Sequence, residues 1–305
     1  MSEKTKIILP DGIEHSTQDG TSTERAQERA REDECYTPVI VKRTDEAFRH
    51  PDDILQDAIN TGLEQIKRPF ISLALSSFAA GLILAFTVMA VGVITTLCLP
   101  YDNPLLLRLL GAAVYPLGFV LCIMSGTELF TEHTATAVYP VLDKKARPLL
   151  LVRLWVIVLV GNILGCSLGA FLLSLAETVT HAREGYLAMA AHLLSYDTMA
   201  LFTSAVLAGW LMALGAWLIL ATHSTIGQIV CIYIVTFIIG LGGLHHSIAG
   251  TAELFTAMFL SNTITLPTAV RFLSCAIAGN AVGGSIFVAL LNYGHIRKTR
   301  IVSGS

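Results

Sequence analysis

Two long apolar stretches of this chain are interrupted by glycines flanked by ionisable side chains, and this constrains the fold more than any other feature. The first interruption reads Ser125-Gly126-Thr127-Glu128-Leu129-Phe130-Thr131; the second reads Gly242-Gly243-Leu244-His245-His246-Ser247-Ile248-Ala249-Gly250. Both lie in segments apolar enough to enter a bilayer, where a carboxylate or an imidazole is costly unless it faces a partner or a water-filled path. Glycines let the backbone leave the helix, which hydrocarbon tolerates only where the freed groups line a cavity or are buried in protein. Helices broken at mid-membrane are a recurrent way to build a transport site. The pattern points to a permeation pathway.

The chain is 53% hydrophobic and 14% charged over 305 residues, the balance of a polytopic membrane protein. Residues 1–69 hold ten of the 20 Lys+Arg and fifteen of the 23 Asp+Glu. Six spans are expected: 71–99, 106–142 with a break, 149–177, 197–222, 227–260 with a break, and 268–293, because about 20 apolar residues cross a bilayer. Lys67 and Arg68, then Lys144, Lys145, Arg147 and Arg153, then Arg297, Lys298 and Arg300 fall on one side, against Arg108, Arg183 and Arg271 on the other. By the positive-inside rule both termini are cytoplasmic, in a cell (inner) membrane.

The domain reading follows. Residues 1–50 form a polar cytoplasmic segment, partly disordered. Residues 51–68 form an amphipathic interfacial helix, with Ile54, Leu55, Ala58, Ile59, Leu63 and Ile66 at helical spacing. Residues 69–294 form the transmembrane domain, and 295–305 a short basic tail. No apolar core follows Met1-Ser2-Glu3-Lys4, so no cleavable signal peptide is expected. Cys98, Cys122, Cys166, Cys231 and Cys275 are widely spaced in or beside apolar spans and read as packing residues, with neither disulfides nor a metal site.

An internal repeat is visible. The third span contains Gly161-Asn162-Ile163-Leu164-Gly165 and the sixth Gly279-Asn280-Ala281-Val282-Gly283; Glu128 precedes Gly161 by 33 residues, and His246 precedes Gly279 by the same 33. Three spans per half, an odd number, place the second half upside down relative to the first, an inverted repeat. The expected fold is an all-α membrane protein of six transmembrane helices in two inverted three-helix repeats, the second and fifth broken. A duplicate of Glu-Leu-Phe-Thr at 128–131 and 253–256 is out of repeat register and reads as coincidence.

These stretches carry a resemblance. Gly62-Leu63-Glu64-Gln65-Ile66-Lys67, Tyr115-Pro116-Leu117-Gly118, Gly126 through Thr131, Gly161-Asn162, His246-Ser247-Ile248-Ala249 and Gly279-Asn280-x-x-Gly283-Gly284, in this order and spacing, resemble the formate/nitrite transporter family over residues 51–294. The resemblance implies an aquaporin-like protomer, a homopentamer with one pore per protomer, small monovalent anions as solute, and no cofactor. It places Leu129 and Thr131 on a loop that meets the central His246, and Tyr115, Phe119 and Ile239 at two narrow apolar slits around it. An imidazole there, with an ordinary pKa of about 6.5, would lend a proton so that a weak acid crosses neutral.

The departures from the family keep other readings open. His245 replaces an acidic neighbour, Glu132-His133 follows Leu-Phe-Thr, Gly250 replaces an asparagine, Glu253 is added, and His192-Leu193-Leu194 stands where a basic residue guards the outer mouth. These changes subtract a permanent positive charge from the entrance and add carboxylates near the path. Glu128 either holds the loop shape or meets solute, and His245 and Glu253 join it as pore candidates. Glu132, His133 and Glu253 tune the pore or face another subunit. Asn162, Asn280, Gly126 and Gly250 brace the broken ends. Small residues such as Gly81, Gly111, Gly165 and Gly283 permit the close helix contact a pentamer needs. No His-Glu-x-x-His and no activated Ser or Cys is visible, so an enzyme is not expected. Besides the bilayer, a small-solute partner is expected and nucleic acid is not. A neutral or cationic solute, or a non-transporting assembly platform, remains the alternative.

Overall fold

The computed structural model describes residues 6–8, 14–16 and 51–302, with side chains described for 51–296. The N-terminal unit, Met1–Ala47, contributes one short antiparallel hairpin, β1 (Lys6–Ile8) with β2 (Glu14–Ser16). The rest of the polar segment expected at 1–50 lies outside the described residues.

The second unit begins with α1 (Pro51–Lys67), which has Asp52 and Asp53 in its first turn and Lys67 in its last, matching the helix dipole. Its apolar face is not left for lipid. Ile54, Leu55, Ala58, Ile59 and Ile66 are buried against the protein, so this helix is strapped to the bundle.

Among the described residues, six helical segments are long and apolar enough to cross a membrane: Phe70–Tyr101, Pro104–Met124, Pro148–Leu175, Thr198–Ala221, Thr225–Gly242 and Leu266–Ile296. The first is bent into α2 (Phe70–Ile83) and α3 (Ala85–Cys98). The second is kinked into α4 (Pro104–Val114) and α5 (Pro116–Met124), because Pro116 has no N–H to continue the ladder. Backbone carbonyls around the kink are used elsewhere: Thr87 Oγ1 donates to Tyr115 O at 3.1 Å and Tyr233 Oη to Ala113 O at 2.8 Å.

After the first break come only α6 (Phe130–His133) and α7 (Tyr139–Leu142), joined by turns. The sequence suggested one broken span over 106–142. Instead, residues 134–138 run as turns, where Thr134 Oγ1 donates to Thr131 O and Thr136 Oγ1 to Glu132 O. The chain continues through α8 (Pro148–Leu175), α9 (Glu177–Thr180), α10 (Arg183–Leu194) and α11 (Thr198–Ala221). The fifth span is α12 (Thr225–Gly242), and beyond its break α13 (Ser247–Leu260) is a true half-helix. The sixth is α14 (Leu266–Gly284), a π-turn segment at Ser285–Leu290, and α15 (Leu291–Val302).

The two halves are built alike. In each, the first and third spans pack most extensively, α2 on α8 and α11 on α14. Gly81 abuts the Asn162 carbonyl and Gly209 abuts that of Asn280, while Gly165 and Gly283 press on Phe78 O and Val206 O. Gly81, Gly165 and Gly283 are therefore spent inside the protomer, and Gly111 faces open space. These glycines lend no support to a subunit interface. Large apolar side chains such as Leu149, Val156, Leu164 and Leu175 point outward, as a lipid-facing or subunit-facing surface requires.

Candidate functional site

Each break turns on a glycine in the left-handed region, Gly126 (φ 68°) in the first and Gly243 (φ 60°) in the second. Three residues later the chain re-enters a helix, with Leu129 as the N-cap of α6 and His246 as the N-cap of α13. One buried asparagine staples each break. Asn162 accepts from Phe130 N (2.9 Å) and donates to Glu128 O (2.9 Å) and Ser77 O (2.7 Å). Asn280 accepts from Ser247 N (2.7 Å) and donates to His245 O (3.0 Å) and Ala205 O (2.7 Å).

These bonds correct the repeat register. Asn162 lies 32 residues after its donor Phe130 and Asn280 33 after Ser247, so Glu128 corresponds to His245 and Leu129 to His246. The equal 33-residue spacings compared non-equivalent residues. Gly250 is corrected too: it lies inside α13 against the Phe272 ring, and the bracing glycine of the second break is Gly243. The second Glu-Leu-Phe-Thr lies within α13 and has no counterpart role.

Thr131 and His246 bring the two breaks together, Oγ1 and Nε2 being 2.9 Å apart. His246 Nδ1 accepts from Ala249 N at 3.1 Å. An accepting Nδ1 carries no proton, so the neutral ring holds its proton on Nε2, where it is donated to Thr131 Oγ1. No acceptor for the threonine hydroxyl hydrogen is present among the described residues. Phe119 packs edge-on against the imidazole with centroids 5.0 Å apart, and Tyr115 lies 5.2 Å from Phe119. Tyr115, Phe119, Leu129, Thr131, Ile239 and His246 are all buried.

Two cavities lie at opposite ends of the second span. The larger, about 390 Å³, is lined by Arg108, Tyr115, His192, Ile239, His246 and Glu253, among others. The smaller, about 180 Å³, is lined by Thr61, Gln65, Thr127, Glu128, Glu132 and Thr136, among others. Phe119, Leu129 and Thr131 line neither and form the closed stretch between them. Glu128 is tied to Arg68, at the end of the α1 segment, and to His133 Nε2, which fixes the loop shape.

Two expectations do not survive. His245 lines neither cavity; it is buried between Tyr196 and Phe272, with Nδ1 on Ser204 Oγ at 2.8 Å. The loss of a permanent positive charge at the mouth is also wrong. Arg108 lines the larger cavity beside Gly243, anchored by Nε to Leu241 O at 2.7 Å. Burial, then the Arg108 guanidinium, holds His192 below the usual imidazole range. The standing cation there is Arg108. Sequence held a signal for it: Arg108, Ala112 and Tyr115 share one helix face.

Two inverted three-helix halves, with paired breaks between two vestibules, define the fold of a membrane channel or transporter. Residues 52–294 match the family described as "Formate/nitrite transporter", and the chain belongs to that family. It is 30% identical over 239 residues to "Inner membrane protein YfdC" of Escherichia coli K12, covering 77% of this chain and 76% of that protein. It is 28% identical to a "Probable formate transporter" of Methanothermobacter thermautotrophicus, covering 80% and 96%. Among solved structures, an "FNT family ion channel" superposes with a TM-score of 0.70 at 20% identity, covering 80% of this chain and 98% of that one. A "Pentameric formate channel with formate bound" gives 0.62 at 22% identity, covering 74% and 97%.

Proposed function

We propose that this chain conducts a small monovalent weak-acid anion of the formate or nitrite kind. His246 and Thr131 form the constriction, Tyr115, Phe119, Leu129 and Ile239 the apolar walls, and five copies assemble with one pore each and both termini in the cytoplasm. The observation that carries this reading is the Thr131–His246 contact between two vestibules. Its hydroxyl and imidazole offer hydrogen bonds where the surrounding walls offer none. The pentamer is argued from the similar fold of the pentameric formate channel, and the solute from the names of the relatives. Arg108 at the mouth supports an anion over a cation.

The test is uptake of labelled formate, nitrite and rubidium into proteoliposomes. Wild type takes up at least one anion and excludes rubidium. His246→Ala removes the ring from the constriction, and anion-over-rubidium discrimination falls about tenfold or more, the equivalent of ~1.4 kcal/mol. Identical uptake by wild type and variant would refute the role of His246. Orientation has its own measurement: a reporter inserted at 144–147 should read cytoplasmic, and an external reading would reverse the topology.

A further inference from the structure

We propose that Glu253 is the proton donor of the larger vestibule, handing a proton to the weak-acid anion before the solute crosses the constriction. This rests on the weak-acid reading above and names the group that makes the acid neutral. Glu253 is 8% exposed, lines the cavity with His246 and Tyr115, and its carboxyl has no hydrogen bond or ion pair among the described residues. An unpartnered carboxyl in a cavity wall is costly to keep. It is explained if solute or water is its partner.

The imidazole is poorly placed for this task. Nδ1 caps α13 by accepting from Ala249 N, and Nε2 already donates to Thr131. A second ring proton would sit on Nδ1, facing the Ala249 N–H, donor against donor, and would break the cap. The other groups facing the cavity do not serve. Arg108 does not release its proton. His192 shares a hydrogen bond with Tyr196 Oη at 3.1 Å, and burial, then Arg108, holds its ring below the usual imidazole range. The Tyr115 phenol is ordinarily a very weak acid, near 10.

Among the elements packed on α13, α10 carries His192, already named, the exposed Glu184, and Arg183, whose Nη2 donates to Leu260 O at 2.5 Å. α3 presents Val91 and Thr95, and α12 presents Ile239. Cys166 of α8 turns its thiol to Ile248 O, and α14 presents Phe272. Across the constriction, Glu132 lines the smaller cavity and His133 faces Glu128.

The step balances simply. The solute anion, drawn in by Arg108, enters the cavity that holds the Glu253 carboxyl. Two like charges do not share such a cavity readily, so the pair holds one proton between them. The O–H bond on Glu253 breaks, an O–H bond forms on the anion, and the neutral acid passes Phe119. The carboxylate left behind is reprotonated by hydronium from the water of the open vestibule. Net transport is one proton per anion.

The experiment measures labelled formate uptake and internal pH together, in proteoliposomes, across external pH 5 to 8. Wild type should move one proton per formate, faster as pH falls. Glu253→Gln should lose about tenfold in rate at low pH and show a flattened pH profile, while Glu253→Asp restores the profile. His246→Asn keeps the cap, since Asn is a favoured N-cap residue; its rate should change because the constriction loses its ring, but each formate it still passes should carry one proton. Size-exclusion profiles establish that each variant is folded. A Glu253→Gln protein with the wild-type pH profile overturns the proposal, as does coupling lost in His246→Asn and kept in Glu253→Gln. Wild type that moves neither formate nor, in the same assay, nitrite overturns the weak-acid reading and this proposal with it.

Discussion

Asn162→Ala and Asn280→Ala should each unfold or strongly destabilise the protein, by about 3–5 kcal/mol. Each asparagine makes three buried hydrogen bonds, and in both the partners are backbone groups at the break and on the neighbouring span. Truncation strands one N–H and two carbonyls with no water to take them. Leaving a buried backbone group unmet costs about 1–3 kcal/mol, and relaxation recovers part of the sum. For a protein of this size each kcal/mol moves the melting temperature by roughly 2–4 °C, so a fall of about 10 °C in detergent is expected. The two variants should behave alike because the two staples are equivalent. A fall below about 2 °C in either would show that water or a backbone shift replaces the amide.

Much of the fold was legible because membrane helices advertise themselves through length and hydropathy. The six spans, the odd number per half and the Gly-Asn pairs all follow from the chain alone. The register of the repeat did not. The first half has one residue fewer between its break and its asparagine, and that difference becomes visible only through which backbone groups each amide meets. The turns at 134–138 are not legible either: the threonine-to-carbonyl bonds found there also occur within α12 and α13, which stay helical.

At the site, His246 and Thr131 were nameable from the resemblance, and the structure brings them together. In sequence Arg108 reads as a topological marker, because a loop charge and a vestibule charge look identical there. His245 shows the opposite case, a pore candidate by its neighbour that the fold buries. Adjacent residues on an extended backbone point to opposite sides, so if one histidine meets the path the next is turned into the packing against Tyr196 and Phe272.

Gly81→Leu and its inverted mate Gly209→Leu should abolish recovery of monodisperse protein from detergent extracts. At both positions an added Cβ would overlap the backbone of the asparagine on the facing helix, Asn162 for Gly81 and Asn280 for Gly209. A carbonyl cannot rotate away as a side-chain tip can, so α2 and α8, or α11 and α14, must separate. Overpacking a buried contact costs about 1–3 kcal/mol for a few methylenes, and a leucine against backbone lies at the upper end or beyond. The damage reaches the pore by a defined route. Moving Asn162 moves the Phe130 N–H it holds, and Thr131 with it, away from its 2.9 Å contact with His246. Gly111→Ala is the control, since nothing lies within 4 Å of its added methyl. Gly81→Ala, with a smaller overlap to relieve, should give folded protein with a lower melting temperature and altered anion flux. Wild-type yield, melting temperature and flux in Gly81→Leu would mean that the helix crossing does not position the constriction.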